Sequence, residues 1–128
     1  MFTDPQIGIV GGGYEALTEC EASAGEVSFE NQGRARLQGV NAGKLRIYGE
    51  QHTGRLLGAE IFGPSAEHLS HLLAWAVRAG MTVDDALAMP FYHPVVEEGI
   101  RTALRNLNAN LRHGAPVKCA VAEMGVGC

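Results

Sequence analysis

An α+β layer fold, with an antiparallel sheet of three to five strands covered by helices, is predicted by three features of this sequence. Residues 44–63 read as a β-hairpin: apolar side chains alternate along KLRIYGE, and the more apolar RLLGAEIFG returns after the turn Gln51-His52-Thr53-Gly54. The second half places apolar residues at helical spacing, first Leu69, Leu72, Leu73, Ala76 and Val77, then Ile100, Leu104, Leu107 and Leu111. Glycine supplies 17 of the 128 residues. Against a usual share of roughly 7%, that suits a turn-rich sheet better than a helical bundle.

Taken in order, residues 5–10 (PQIGIV) are β-branched and bounded by Pro5 and Gly11–Gly13, and they predict a strand. Residues 14–24 (YEALTECEASA) favour a helix closed by Gly25. Val27 and Phe29 alternate with polar neighbours, as on a strand edge, and RARLQGVN alternates again through Ala35 and Leu37. After the hairpin, Pro64 and Ser65 open a helix with Ser65 as N-cap and Gly80 as terminator. Thr82 and Asp85 have the spacing of a capping box for a short helix, which Pro90 ends. Pro94 suits the first turn of a final helix. The predicted order is β-α-β-β-β-α-α-α, with a core spanning residues 1–113 and a flexible tail at 114–128.

Composition narrows the function. A chain of 128 residues is one domain, too short for an enzyme that carries its own cofactor-binding domains. The net charge of −4 gives no reason to expect nucleic acid or an anionic membrane as partner. No apolar run reaches the roughly 18 residues of a membrane span, and no basic leader opens the chain. Cys20, Cys119 and Cys128 are odd in number and form no CxxC, so reduced thiols and a cytoplasmic location are expected.

Four local patterns carry chemistry. Gly11-x-Gly13 after a short strand, with Glu30 about twenty residues on, has the outline of a dinucleotide-binding turn. Its first strand is thin, however, and the chain beyond it reads as hairpins. His68 and His71 share a helix face, but zinc needs at least a third ligand and none is identifiable, so no metal site is expected. Trp75 reads as a core or interface anchor. The fourth pattern is Phe91-Tyr92-His93-Pro94-Val95-Val96-Glu97-Glu98, a histidine with carboxylates about one turn later. A carboxylate can hold imidazole in one tautomer, as a general acid/base requires. By spacing alone Glu97 and Glu98 serve equally, and a simple helix cap would also account for the pattern.

Residues 2–113 resemble the C-terminal dimerisation domain of the FAD-dependent pyridine nucleotide-disulfide oxidoreductases, most nearly the dihydrolipoamide dehydrogenases. The resemblance is carried by Phe2-Thr3-Asp4-Pro5-Gln6-Ile7 before Val10-Gly11, by Arg34-Ala35 and Gly43-Lys44-Leu45, and by Arg55-Leu56-Leu57-Gly58-Ala59 with Ile61 and Gly63-Pro64. His93-Pro94 with Glu98 is similar to the family's His-Pro-Thr-x-Ser-Glu motif. The resemblance implies a homodimer whose other domains hold FAD and NAD(P) and a Cys-x4-Cys disulfide; no such cysteine pair stands in these 128 residues. It also implies that His93, oriented by Glu98, serves as acid/base in trans toward the partner subunit's disulfide. The His93-Pro94 backbone would lie near the partner's flavin, and lipoamide is the favoured substrate. The isolated chain is then expected to be inactive and to bind neither cofactor. Val95, Glu97 and Phe91 depart from the family's Thr, Ser and frequent second His, which leaves another disulfide or a quinone as alternative substrates. The rival reading is a small dinucleotide-binding domain built on Gly11, Gly13 and Glu30.

Overall fold

Four strands form a single antiparallel sheet in the order β1-β4-β3-β2. The computed structural model describes residues 3–11, 14, 17 and 21–113. Strand β1 is Gln6–Val10, β2 is Ala22–Ser28, β3 is Lys44–Glu50 and β4 is Leu56–Gly63. A 3-10 turn at Phe29–Asn31 leads into the short helix α1, Gly33–Leu37; helices α2 (Ala66–Arg78), α3 (Val83–Leu87) and α4 (Glu98–His113) follow the sheet.

The hairpin forms as its alternation predicts. Lys44 pairs with Phe62 and Tyr48 with Gly58, and the register shifts between Tyr48 and Gly49. β3 and β4 are the central strands, flanked by β2 and β1. Period two sends Leu45, Ile47, Ala59 and Ile61 to one face, where they join Leu69 and Leu73 of α2 and Ile100, Leu104 and Leu107 of α4 in one buried cluster. α2 lies over β1 and β4, while α4 lies over β2 and β3. The opposite face carries a smaller apolar cluster and is braced by side-chain hydrogen bonds. Tyr48 is buried there beside Leu17 and Ala22. Its hydroxyl donates to Glu60 Oε2 at 2.8 Å, and the Tyr14 amide donates to Glu60 Oε1 at 3.0 Å. Burial, and then the carboxylate it faces, push the Tyr48 phenol well above the usual tyrosine range.

Three expectations are corrected. The helix expected over 14–24 is replaced, from Ala22 on, by β2; seven residue pairs with β3 override the helical preference of small residues. The strand expected in RARLQGVN is helix α1. Ala35 is fully buried while Leu37 is exposed, so the two alternating positions do not share one buried strand face. Pro94 precedes α4 in a turn instead of sitting in its first turn. Ser65 does stand at the N-cap of α2, but it is left-handed at φ 55° and its side chain makes no capping bond. The capping box at Thr82 and Asp85 forms in full. Residues 12–13, 15–16 and 18–20, with Cys20 among them, and the tail 114–128 with Cys119 and Cys128, lie outside the described residues.

α4 approaches β2 so closely that only glycine fits between them. A Cβ at Gly25 would lie 2.1 Å from the Ala103 carbonyl oxygen and 2.3 Å from the Leu107 nitrogen. Gly25→Ala therefore costs stability by about 1–3 kcal/mol or more, because backbone on both sides must move. Gly33→Ala, with nothing within 4 Å of the added carbon, stays near the parent. Urea midpoints measure both; a Gly25→Ala protein as stable as Gly33→Ala would overturn this packing.

Candidate active site

The segment between α3 and α4 is held at three points. Val96 is buried in the core cluster. Gln32, at the N-cap of α1, donates from Nε2 to the Val95 carbonyl at 2.8 Å while its Oε1 accepts from the Ala35 amide at 2.7 Å. Gly99, in the first turn of α4, lies against the buried ring of Phe29, and a Cβ there would come within 3.1 Å of it. Backbone bonds from Gly99 to Val96 (2.9 Å) and from Ile100 to Glu97 (2.9 Å) wind the chain directly into the helix.

Glu98 is thereby placed as the first residue of α4, where the helix dipole favours an anion. His93 Nδ1 lies 2.9 Å from Glu98 Oε1 and 3.1 Å from Oε2. The Val95 amide donates to Oε2 at 3.1 Å, and Arg101 Nη2 donates to Oε1 at 3.2 Å. The His93 hydrogen bond first, and the Val95 amide next, hold the Glu98 carboxyl below the usual glutamate range. An acceptor carboxylate at Nδ1 keeps the proton on that nitrogen, which leaves Nε2 with its lone pair available. The carboxylate is sheltered, its side chain 17% exposed, while the imidazole is 81% exposed. The His93–Pro94 bond is cis. Glu97, the other spacing candidate, instead lines a cleft beside the loop, together with Leu72 and Trp75 of α2 and Phe91, Tyr92 and Val95.

The other sequence candidates do not assemble. His68 Nε2 pairs with its neighbour Glu67 at 3.4 Å, and the His71 ring packs edge-on against Trp75 at 4.9 Å. Among the described residues no group of three His, Cys, Asp or Glu could hold a metal. Trp75 is 68% exposed, so it anchors no core. The dinucleotide reading is corrected by topology. β1 is an edge strand antiparallel to β4, not the first strand of a parallel βαβ unit. Gly11, at φ 67°, is needed because a Cβ there would lie 2.5 Å from the Leu57 oxygen. Glu30 sits in the exposed 3-10 turn, and Gly13 lies outside the described residues. Arg101 was not singled out by pattern, although its i+3 spacing from Glu98 is a signal that a helix-face reading can use.

Comparison with known proteins places these features in a family. Residues 1–104 match the family model described as pyridine nucleotide-disulphide oxidoreductase, dimerisation domain. The dihydrolipoyl dehydrogenase of Haloferax volcanii is 34% identical over 113 residues, covering 83% of this chain and 23% of that protein. The human mitochondrial dihydrolipoyl dehydrogenase is 31% identical over 105 residues, covering 80% of this chain and 21% of that protein. The chain thus spans less than a quarter of the length of these relatives. The crystal structure of LpdA from Mycobacterium tuberculosis matches with a TM-score of 0.76 at 25% identity, over 83% of this chain and 24% of that one. The HOCl-induced flavoprotein disulfide reductase RclA from Escherichia coli, solved as a Cu(II) complex, shares the fold at a TM-score of 0.75 and 21% identity, over 81% of this chain and 24% of that one.

The ionised Glu98 can be read out in this chain by itself. A carboxyl whose pKa is depressed on folding stabilises the fold above its unfolded value, near 4.5, and loses that contribution as pH falls through the lower folded value. The difference in urea midpoint between the parent and Glu98→Gln is therefore largest above pH 4.5 and shrinks below it. A difference independent of pH between 3 and 7 would show that the carboxylate charge contributes nothing.

Proposed function

The chain belongs to the pyridine nucleotide-disulphide oxidoreductase dimerisation-domain family, and from that premise we propose that it is the part of a dihydrolipoamide dehydrogenase-like disulfide reductase that pairs two subunits and lends each the other's acid/base. His93 and Glu98 are the residues assigned to that role. The observation that supports the reading is the hydrogen bond from His93 Nδ1 to the sheltered Glu98 carboxylate, which leaves Nε2 of a largely exposed imidazole available. The proposed assembly is a homodimer at a cytoplasmic location. No helix among the described residues is long and apolar enough to cross a membrane.

In the proposed step a dithiol substrate, lipoamide being favoured, presents one S–H to His93 Nε2. The imidazole takes that proton and the thiolate attacks a sulfur of the partner subunit's redox disulfide, forming a mixed disulfide and releasing the other cysteine as thiolate. Glu98 holds the ring in the receptive tautomer and offsets the positive charge the ring acquires. FAD and NAD(P), bound elsewhere in the intact protein, would supply the onward electron transfer. Two observations support this: the four strands pair antiparallel, unlike the parallel unit of a dinucleotide cradle, and the backbone at Gly11 lies close to the Leu57 carbonyl. The proposal therefore seats both cofactors on other domains, with the His93-Pro94 backbone as the edge nearest the partner's flavin, and assigns the isolated chain no activity.

Two measurements on the full-length protein test this. His93→Gln should lower dithiol–disulfide turnover by about 10²–10⁴-fold, the usual range for a general base, and near-normal turnover would refute the role. Mixing His93→Gln subunits with subunits lacking a redox cysteine should restore activity in the hybrid dimers, since one site regains both a disulfide and a histidine. No recovery in demonstrated hybrids would place the histidine and disulfide on the same subunit.

A further inference from the structure

We propose that Arg101, seated on the ring of Phe91, is the positioning residue of the His93–Glu98 pair: it fixes the carboxylate and limits how tightly that carboxylate holds the imidazole proton. The inference rests on the acid/base reading of His93. Its starting point is a shared atom. Glu98 Oε1 accepts from His93 Nδ1 at 2.9 Å and from Arg101 Nη2 at 3.2 Å, so imidazole and guanidinium share one oxygen. The other oxygen is tied to the Val95 amide at 3.1 Å. With donors on both oxygens, the carboxylate cannot rotate without breaking a bond.

Arg101 is itself held. Its guanidinium carbon lies 5.3 Å from the centroid of the Phe91 ring, within cation–π range. Phe91 packs against the main core cluster, which anchors that ring. A planar guanidinium suits this seat, because it can stack on the ring and still aim an N–H at the carboxylate; a lysine ammonium lacks that geometry. Phe91 is apolar, so this seat adds no titrating group beside the pair.

The electrostatic consequence has a definite sign. Glu98 carries one negative charge and faces a permanent cation in Arg101. Any positive charge on His93 shares that carboxylate with Arg101 and is offset less than it would be in a two-member pair. Removing the cation leaves the whole carboxylate to the imidazolium, whose charge is then offset more fully. The other titratable groups near the loop are Tyr92 and Glu97, which line the adjoining cleft, and His68 and His71 of α2, which line the same cleft from across it. None of the four hydrogen-bonds Glu98.

The test uses the full-length protein and the pH profile of dithiol turnover. Arg101→Gln should lower kcat by about 10-fold, with KM changed less than about 3-fold. It should also move the acid limb of kcat upward by about half to one pH unit. Arg101→Lys should return the limb toward the parent while recovering only part of kcat, and Phe91→Leu should give an intermediate loss of kcat. An acid limb unmoved in Arg101→Gln, with activity lost equally at all pH values or not at all, would overturn the positioning role. Normal turnover in His93→Gln would instead sink the acid/base reading on which it rests.

Discussion

The backbone contact between α4 and β2 is the constraint on which the rest of the domain depends. Gly25 lets Ala103 and Leu107 of the helix come down onto the strand, and Gly49 of β3 lies beneath the Leu107 side chain. At that range the helix also serves the sheet's hydrogen bonding. Asn106 Nδ2 donates to the Glu26 carbonyl at 2.6 Å and Asn110 Nδ2 to the Ala24 carbonyl at 2.7 Å, so one turn of α4 occupies two outward carbonyls of an edge strand. At the far end, Gln51 Nε2 donates to the Leu111 carbonyl at 2.8 Å while Gln51 Oε1 accepts from Ser23 Oγ at 2.7 Å. The helix can neither slide nor rotate without losing several of these bonds together.

A helix fixed in that way fixes what hangs from its first turn. Glu98 is placed by the helix; Val96, the Gln32 bond and the Phe29 ring place the loop before it. The exposed element of the pair is the imidazole, and the sheltered element is the carboxylate. This division suits the proposed acid/base, because orientation is supplied by a sheltered second partner while Nε2 stays accessible.

Legibility in the sequence followed the range of the deciding interaction. The hairpin, α2, the Thr82 capping box and the apolar seam of α4 are set by neighbours a few residues apart, and they were readable as periodicity or capping pattern. β2 was not, because ASAGEVS is chosen for smallness beneath a helix eighty residues away, and smallness in isolation resembles helix preference. α1 was misread for a related reason: Ala35 and Leu37 alternate, yet only Ala35 is buried. At the site, the histidine and its two candidate carboxylates stood out by spacing, whereas the choice of Glu98 came from the family motif. The tie from Gln32 to Val95 spans 63 residues and leaves no local trace.

The exposure of His93 then acquires a physical meaning. A histidine–carboxylate pair whose ring is open to water gains little, since solvent screens the attraction. Beside it runs a cleft whose rim includes Leu72, Trp75, Met89 and Tyr92, all exposed large side chains on one surface. A second protein surface laid over that rim would remove apolar area from water and lower the dielectric around the His93–Glu98 pair at the same time. On the proposed reading, assembly and catalytic competence are therefore one event. The rigid α4 holds the carboxylate ready, and burial of the rim gives the pair the environment in which its charges matter.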